Sequence, residues 1–417
     1  MTVGSGFRST LANGTQLAAV VAGNAVVRLV YIWLITRFLG PADYGIWAYA
    51  LASYMLLMHL SGFGLDLLLP LRIGGNKQGA EWAAGSALAL RLVCLAALLP
   101  GLVLYALLLE PNPMIATALM LGGVALLGRG VAFWCQTVFA AHERAGSYTP
   151  LAVGMRALEM AVGGALLLSG AGILALFALH AASWIVEALI GLRLVRARLT
   201  LLRFSRDEAL WLLRQGALLG FAAFLIHWLR NGPLLLYRHV DGNLEMLGQI
   251  AIAFQAAFIA TALTQPFLAA AAPVVSRSHN RGDARLGQYG GAAALLTLAL
   301  FAVGFGVLWI FGEPLVALLL GPEFRTAGML LAPCVLIAGV LVAPQGYLQL
   351  AVLKGKPWLD AVACLLSGLL LLALVPSAIG LGGTDGAIAV LVATGTAWLL
   401  RLFVVTLAAI ALRPAAE

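Results

Sequence analysis

Gly172-Ile-Leu-Ala-Leu-Phe-Ala-Leu-His-Ala-Ala-Ser-Trp184 and Gly386-Ala-Ile-Ala-Val-Leu-Val-Ala-Thr-Gly-Thr-Ala-Trp398 decide how this chain is read. Each opens on glycine, stays free of Lys, Arg, Asp and Glu, and closes on tryptophan. Neither shows the period-two alternation of a lipid-facing barrel strand. Backbone in hydrocarbon must satisfy its own hydrogen bonds, and a helix does so within one segment. Each stretch therefore reads as part of a membrane-spanning helix, and the two read as copies of one another.

The same character extends along all 417 residues, of which 62% are apolar and only 10% charged, with a mean hydropathy of +1.00. Soluble domains carry roughly 25% charged residues. Apolar runs of the length a bilayer needs place about twelve spans. They fall near 15–36, 44–66, 83–108, 114–140, 149–169, 172–193, 212–237, 246–272, 289–311, 327–352, 358–379 and 386–411. The first is too long and too polar for a secretory signal. The fold class expected is thus all-α integral membrane.

A second repeat signal supports a division into six-helix lobes, 1–200 and 201–417. Arg37-Phe-Leu-Gly-Pro-Ala-Asp-Tyr-Gly45 follows the first span, and Arg238-His-Val-Asp-Gly-Asn-Leu-Glu-Met-Leu-Gly248 follows the seventh. Gly45 to Gly248 and Pro70 to Pro273 share an offset of 203 residues. An even number of spans per lobe makes the copies parallel in the membrane, the arrangement of transporters that bind substrate between repeats.

Loop charge sets the orientation. Sixteen Lys and Arg fall in the tails and even-numbered connections, three (Arg37, Arg238, Arg325) on the other side. Both termini are therefore expected in the cytoplasm. This asymmetry accounts for most of the net charge of +8 without nucleic acid, for which no basic stripe interleaved with aromatics is present. The basic linker Arg193–Arg206 reads as an anchor on anionic membrane lipid. Cys94, Cys135, Cys334 and Cys364 lie in apolar stretches without CxxC spacing, which reads as packing rather than as a disulfide framework or metal site. No phosphate-binding loop, HExxH or GxSxG is present, so neither an enzyme nor a cofactor is expected.

Six arginines lie inside the spans: Arg28, Arg91, Arg129, Arg156, Arg230 and Arg401. Each costs roughly 2.5–3.5 kcal/mol at a helix centre and needs a reason. Arg91, Arg156 and Arg401 are near enough to the cytoplasmic interface to snorkel, and Arg156 has Glu159 at helical pairing distance. Arg28, Arg129 and Arg230 lie deeper and are expected to face substrate. Asn24, Arg28 and Tyr31 form one stripe. His227, Arg230 and Asn231 form another before Gly232-Pro233, where the helix is expected to break. His59, His180 and several glutamines read as interhelical hydrogen-bonders. The candidate binding set is Asn24, Arg28, Arg91, Arg129, Arg156, His227, Arg230 and Asn231, with Glu159 and Glu187 as candidates for ion coupling. Six arginines against these two glutamates leave an excess of four positive charges, a sign that suits an anionic phosphate or diphosphate.

The element Arg37–Gly45 resembles the "FLGPxxYG" motif of polysaccharide exporters, the O-antigen and capsule flippases of the multidrug/oligosaccharidyl-lipid/polysaccharide superfamily. Asp241–Gly248 resembles that family's second-half "LE-LG" element. Ala141-His-Glu-Arg-Ala-Gly146 and Leu353-Lys-Gly-Lys-Pro357 resemble its short basic turns. The resemblance implies a MOP/MATE-like fold and alternating access through a cationic central cavity, with Arg28 and Arg230 lining it. It further implies flipping of undecaprenyl-diphosphate-linked oligosaccharide across a bacterial inner membrane for surface polysaccharide synthesis. A polysaccharide polymerase and glycosyltransferases would be the protein partners. Two other readings stay open: a cation-coupled MATE-like small-molecule antiporter, and a membrane enzyme of envelope polysaccharide synthesis.

Overall fold

The computed structural model describes the backbone of residues 3–75, 79–142, 144–199, 202–280, 286–356 and 358–411. Side chains are described from residue 29 onward, except in 74–75, 263, 265–274, 276–280, 286–287 and 410–411. Its helices are α1 (Val3–Gly62), α2 (Leu65–Gly75), α3 (Ala80–Leu108), α4 (Pro113–Ala141), α5 (Ala145–Leu168), α6 (Ile173–Arg198) and α7 (Arg206–Val240). There follow α8 (Leu244–Asn280), α9 (Leu286–Leu320), α10 (Arg325–Val342), α11 (Gln345–Leu353), α12 (Trp358–Ile379) and α13 (Gly383–Ala411). No strand occurs among the described residues. Eleven described segments are long and apolar enough to cross a bilayer, so this is a multi-pass α-helical membrane protein.

The count reconciles with the expected twelve at Gly40. There α1 is interrupted by a backbone of φ 77° and ψ −179°, a region open essentially to glycine alone. The following Pro41 has no N–H to continue the helix. One long helix by hydrogen bonding is thus two expected spans by direction. Phe63 and Gly64, at φ 46° and 69°, end it before α2. The expected span 327–352 is likewise two helices, α10 and α11.

The break expected at Gly232-Pro233 is absent, because α7 runs unbroken from Arg206 to Val240. Proline removes one hydrogen bond. Gly232, Pro233 and Leu234 are all buried, and packing of this kind holds a membrane helix through a proline.

By packing, the chain forms two compact units, Ile46–Asn231 and Met1–Gly45 with Gly232–Glu417. These boundaries fall at the start of the expected second span and inside the expected seventh, and differ from the lobes 1–200 and 201–417 expected from the sequence repeat. In the unit Ile46–Asn231, α4 lies between α3 and α6. A methyl at Gly128 would sit 2.5 Å from the Trp184 carbonyl carbon, so α4 and α6 meet at a glycine. Small residues allow this approach where no hydrophobic force drives helices together. The end of the basic linker rests on protein rather than running free on lipid. The Arg203 amide donates to the Glu81 carbonyl at 3.1 Å and the Ser205 amide to Ser86 Oγ at 3.0 Å.

In the other unit, the repeat-related glycines Gly45 and Gly248 face each other. A methyl on either would come within 3.1 Å of the other's amide nitrogen, and would overlap the Leu244 carbonyl oxygen (from Gly45) or the Pro41 carbonyl oxygen (from Gly248). Gln249 next to this crossing accepts from the Ala327 amide at 2.8 Å, satisfying one of the free N–H groups that begin α10. The tryptophans Trp184 and Trp398 are core residues: Trp184 packs tilted against Phe133, and Trp398 meets Phe254 edge-on and Phe258 at a tilt.

Candidate substrate and coupling site

In α5, Arg156 and Glu159 share a face. In α6, His180, Ser183, Trp184 and Glu187 recur at i, i+3, i+4 and i+7, so four polar or aromatic heads form one stripe. Packing of α5 on α6 joins the two faces. Arg156 pairs with Glu159 as expected, through Nη1 to Oε2, and reaches Glu187 Oε2 with Nη2 at 3.1 Å. Ser183 Oγ donates to Glu159 Oε2 at 2.7 Å. Gln136 and the Tyr148 hydroxyl reach Glu187 Oε1 at 3.4 and 3.3 Å. Glu187 is fully buried and Glu159 is 5% exposed. One guanidinium bridging two buried carboxylates leaves a single negative charge.

His180 carries this network toward Arg129. Its Nδ1 lies 2.6 Å from Glu159 Oε1, and its Nε2 lies 2.6 Å from the Tyr54 hydroxyl and 3.2 Å from Trp184 Nε1. An indole N–H only donates, so Nε2 is the accepting nitrogen and Nδ1 holds the proton that faces Glu159. Arg129 Nη1 donates to the Tyr54 oxygen at 3.0 Å. The bonds therefore run one way: Arg129 to Tyr54, Tyr54 to His180, His180 to Glu159.

Arg129 is half-buried, and no carboxylate pairs with it among the described residues. Its Nε has no partner. Aromatic faces surround it: Trp184, Phe133 and Tyr54 lie 4.8, 5.4 and 5.9 Å from its guanidinium carbon. A guanidinium held by ring faces and one hydroxyl keeps most of its fork open to planar phosphate oxygens.

Snorkelling does not describe the other three arginines. Arg91 and Arg401 are each 1% exposed. Arg91 donates to Asp66 Oδ1 at 2.8 Å and to the Gly130 carbonyl at 3.0 Å. Arg401 donates to Asp360 Oδ1 at 2.9 Å and to the Leu341 carbonyl at 2.8 Å. Neither Asp66 nor Asp360 lies within one helical turn of its arginine, so neither enters a count made from the sequence alone. In the fold each reaches its arginine across helices. The charge balance changes accordingly: with Asp66 and Asp360 counted beside Glu159 and Glu187, the same six arginines exceed the carboxylates by two rather than four.

A second cluster lies where α1 meets α7. The imidazoles of His59 and His227 stack with centroids 3.2 Å apart and planes 15° apart. Each Nδ1 lies within hydrogen-bond distance of its own helix, at Met55 O (2.8 Å) and Ala223 O (2.9 Å). His59, expected to bond between helices, instead stacks. Asn231 turns its amide back to the His227 carbonyl at 3.0 Å. Arg230 is half-buried beside them. The side chains of Asn24 and Arg28 lie outside the described residues. Tyr54, Ser183, Trp184, Tyr148 and Gln136 were missed by sequence reasoning. The 180/183/184/187 spacing could have revealed two of them, whereas Tyr54, Tyr148 and Gln136 carry no local signal.

No protein-family model and no curated protein matches the sequence. Solved structures do. An inward-facing multidrug resistance MATE family transporter of the MOP superfamily superposes with a TM-score of 0.74 at 13% identity, over 94% of this chain and 96% of that one. A MOP superfamily transporter from Pyrococcus furiosus, described as having a binding pocket of reverse polarity that suggests a different function, gives 0.66 at 13% identity over 98% and 97%. The Vibrio cholerae MATE transporter VcmN in its bent form gives 0.65 at 14% identity over 98% of both chains. Likeness at this identity establishes the fold.

Proposed function

We propose that this chain is a secondary transporter of bacterial inner membranes that flips a polyprenyl-diphosphate-linked oligosaccharide toward the outer leaflet, with both termini in the cytoplasm. Arg129 carries the reading. Of the arginines in the polar network it alone lacks a carboxylate among the described residues, and its aromatic surroundings hold the guanidinium without neutralising it. A diphosphate offers the planar, doubly accepting oxygens that such a fork recognises. Arg28 and Arg230 are assigned the same role through the resemblance of Arg37–Gly45 to polysaccharide exporters. Glu159 and Glu187 are the titratable groups through which an ion gradient would act. The Pyrococcus furiosus neighbour is described as reversing pocket polarity on this fold, which agrees with a cargo other than a cationic drug.

The antiporter reading draws its support from the multidrug transporters that share the fold. Against it stands the charge of Arg129, which no carboxylate offsets among the described residues and which would repel a cationic cargo. Deleting the gene in its native host separates the two. The proposal expects lipid-linked repeat units to accumulate in the cytoplasmic leaflet, with loss of surface glycan and unchanged resistance to cationic dyes. Normal surface glycan with dye hypersensitivity would overturn it.

A further inference from the structure

The hydroxyl of Tyr54 is fully buried on α1, and sequence reading gave it no role. Among the described residues, it is the hydrogen-bonded link between Arg129 and the acidic network. A phenol has one proton to donate, and here that proton faces His180 Nε2 because the Tyr54 oxygen accepts from Arg129. The arrangement suits a neutral His180. Were Nε2 to carry a proton, it would meet the Trp184 N–H and compete with Arg129 for the same phenolic oxygen.

We propose that Tyr54 couples anion binding at Arg129 to proton uptake at His180, because the two groups compete as donors to one oxygen. An anion that draws the Arg129 guanidinium away from Tyr54 frees that oxygen. One proton from water then adds to His180 Nε2, which releases the Trp184 N–H and donates to Tyr54 in Arg129's place, while the Tyr54 hydroxyl turns its own proton to the bound anion and Nδ1–H stays with Glu159. Arg129 (α4) and Arg156 (α5) repel a proton added to His180 and Glu159 (α5) and Glu187 (α6) attract it, while Tyr54 (α1), Ser183 and Trp184 (α6) are neutral. Two arginines and two glutamates balance, so it is the negative charge of the bound anion that tips the site toward one added proton. Tyr54 is a positioning residue in this scheme. The inference rests on the proposed anion-binding role of Arg129.

The test is proton uptake measured by calorimetry in buffers of different ionisation enthalpy, with farnesyl diphosphate as probe and the full-length protein in nanodiscs. The probe's own titration is common to all variants and cancels in the comparison. Wild-type protein is expected to take up close to one proton more per bound probe than Tyr54→Phe, which keeps the ring and should bind within about threefold, a difference of ~0.7 kcal/mol. His180→Gln, which keeps a hydrogen-bonding head without a titratable ring, should lose the same uptake and stands in should Tyr54→Phe prove unstable. Uptake equal to wild type in either folded variant overturns the coupling and leaves anion binding intact. Probe binding that is absent in wild type, or unchanged by Arg129→Gln, overturns the function reading and the coupling with it.

Discussion

Asp66 and Arg91 form a pair whose two members are unequally hidden, so removing one should not cost the same as removing the other. The Arg91 side chain is 1% exposed and that of Asp66 43%. Asp66→Ala strands a guanidinium that retains only the Gly130 carbonyl, and a buried charge deprived of its partner costs about 3–5 kcal/mol. Arg91→Met leaves a carboxylate that is nearly half exposed and already near the Thr137 hydroxyl at 3.3 Å. It can rehydrate, so the loss should be about 1–3 kcal/mol, that of a charge-assisted hydrogen bond and a freed carbonyl. The double variant contains no stranded charge and should be about as stable as Arg91→Met alone, a coupling of about 3–5 kcal/mol in a double-mutant cycle, equal to the cost of Asp66→Ala by itself. Unfolding free energies from SDS titration of the purified protein in mixed micelles provide the measurement. If Asp66→Ala is no worse than Arg91→Met, or if Arg91→Met is silent as a snorkelling residue would be, the pairing argument fails.

Arg156→Met strands two buried carboxylates and should cost more than about 3 kcal/mol. Glu187→Gln leaves a balanced Arg156–Glu159 pair and should stay within about 1.5 kcal/mol of wild type; the reverse order in the same titration would contradict the network. Gly248→Val should sharply lower membrane abundance, since its side chain overlaps the Pro41 carbonyl. Gly40→Ala meets open space and should cost only the about 1–3 kcal/mol of a backbone region closed to alanine. Equal abundance of Gly248→Val and wild type would deny the close crossing. In a cysteine-free background, Phe204→Cys should resist an impermeant thiol reagent in intact cells and Glu245→Cys should react; the opposite pattern would invert the orientation.

Composition and apolar run length determined the membrane-spanning helical architecture, because the bilayer imposes those requirements on each segment separately. The Arg156–Glu159 pair was legible for the same reason: it lies within one helix turn. Gly40 and Pro41 interrupt α1 because Gly40 adds a backbone only glycine adopts, whereas the break expected at Pro233 is absent because buried neighbours carry the helix through. Asp66 and Asp360 lie 25 and 41 positions from the arginines they neutralise, separations with no helical period, so the apparent excess of four positive charges could only be corrected by the fold. Tyr54 is 75 residues from Arg129 and 126 from His180. Repeating glycines at 45 and 248 marked a matching pair in the sequence, but that they touch each other, amide against amide, is a fact of packing. Local periodicity records what each helix requires of lipid; which polar heads meet between helices is decided by how the helices cross.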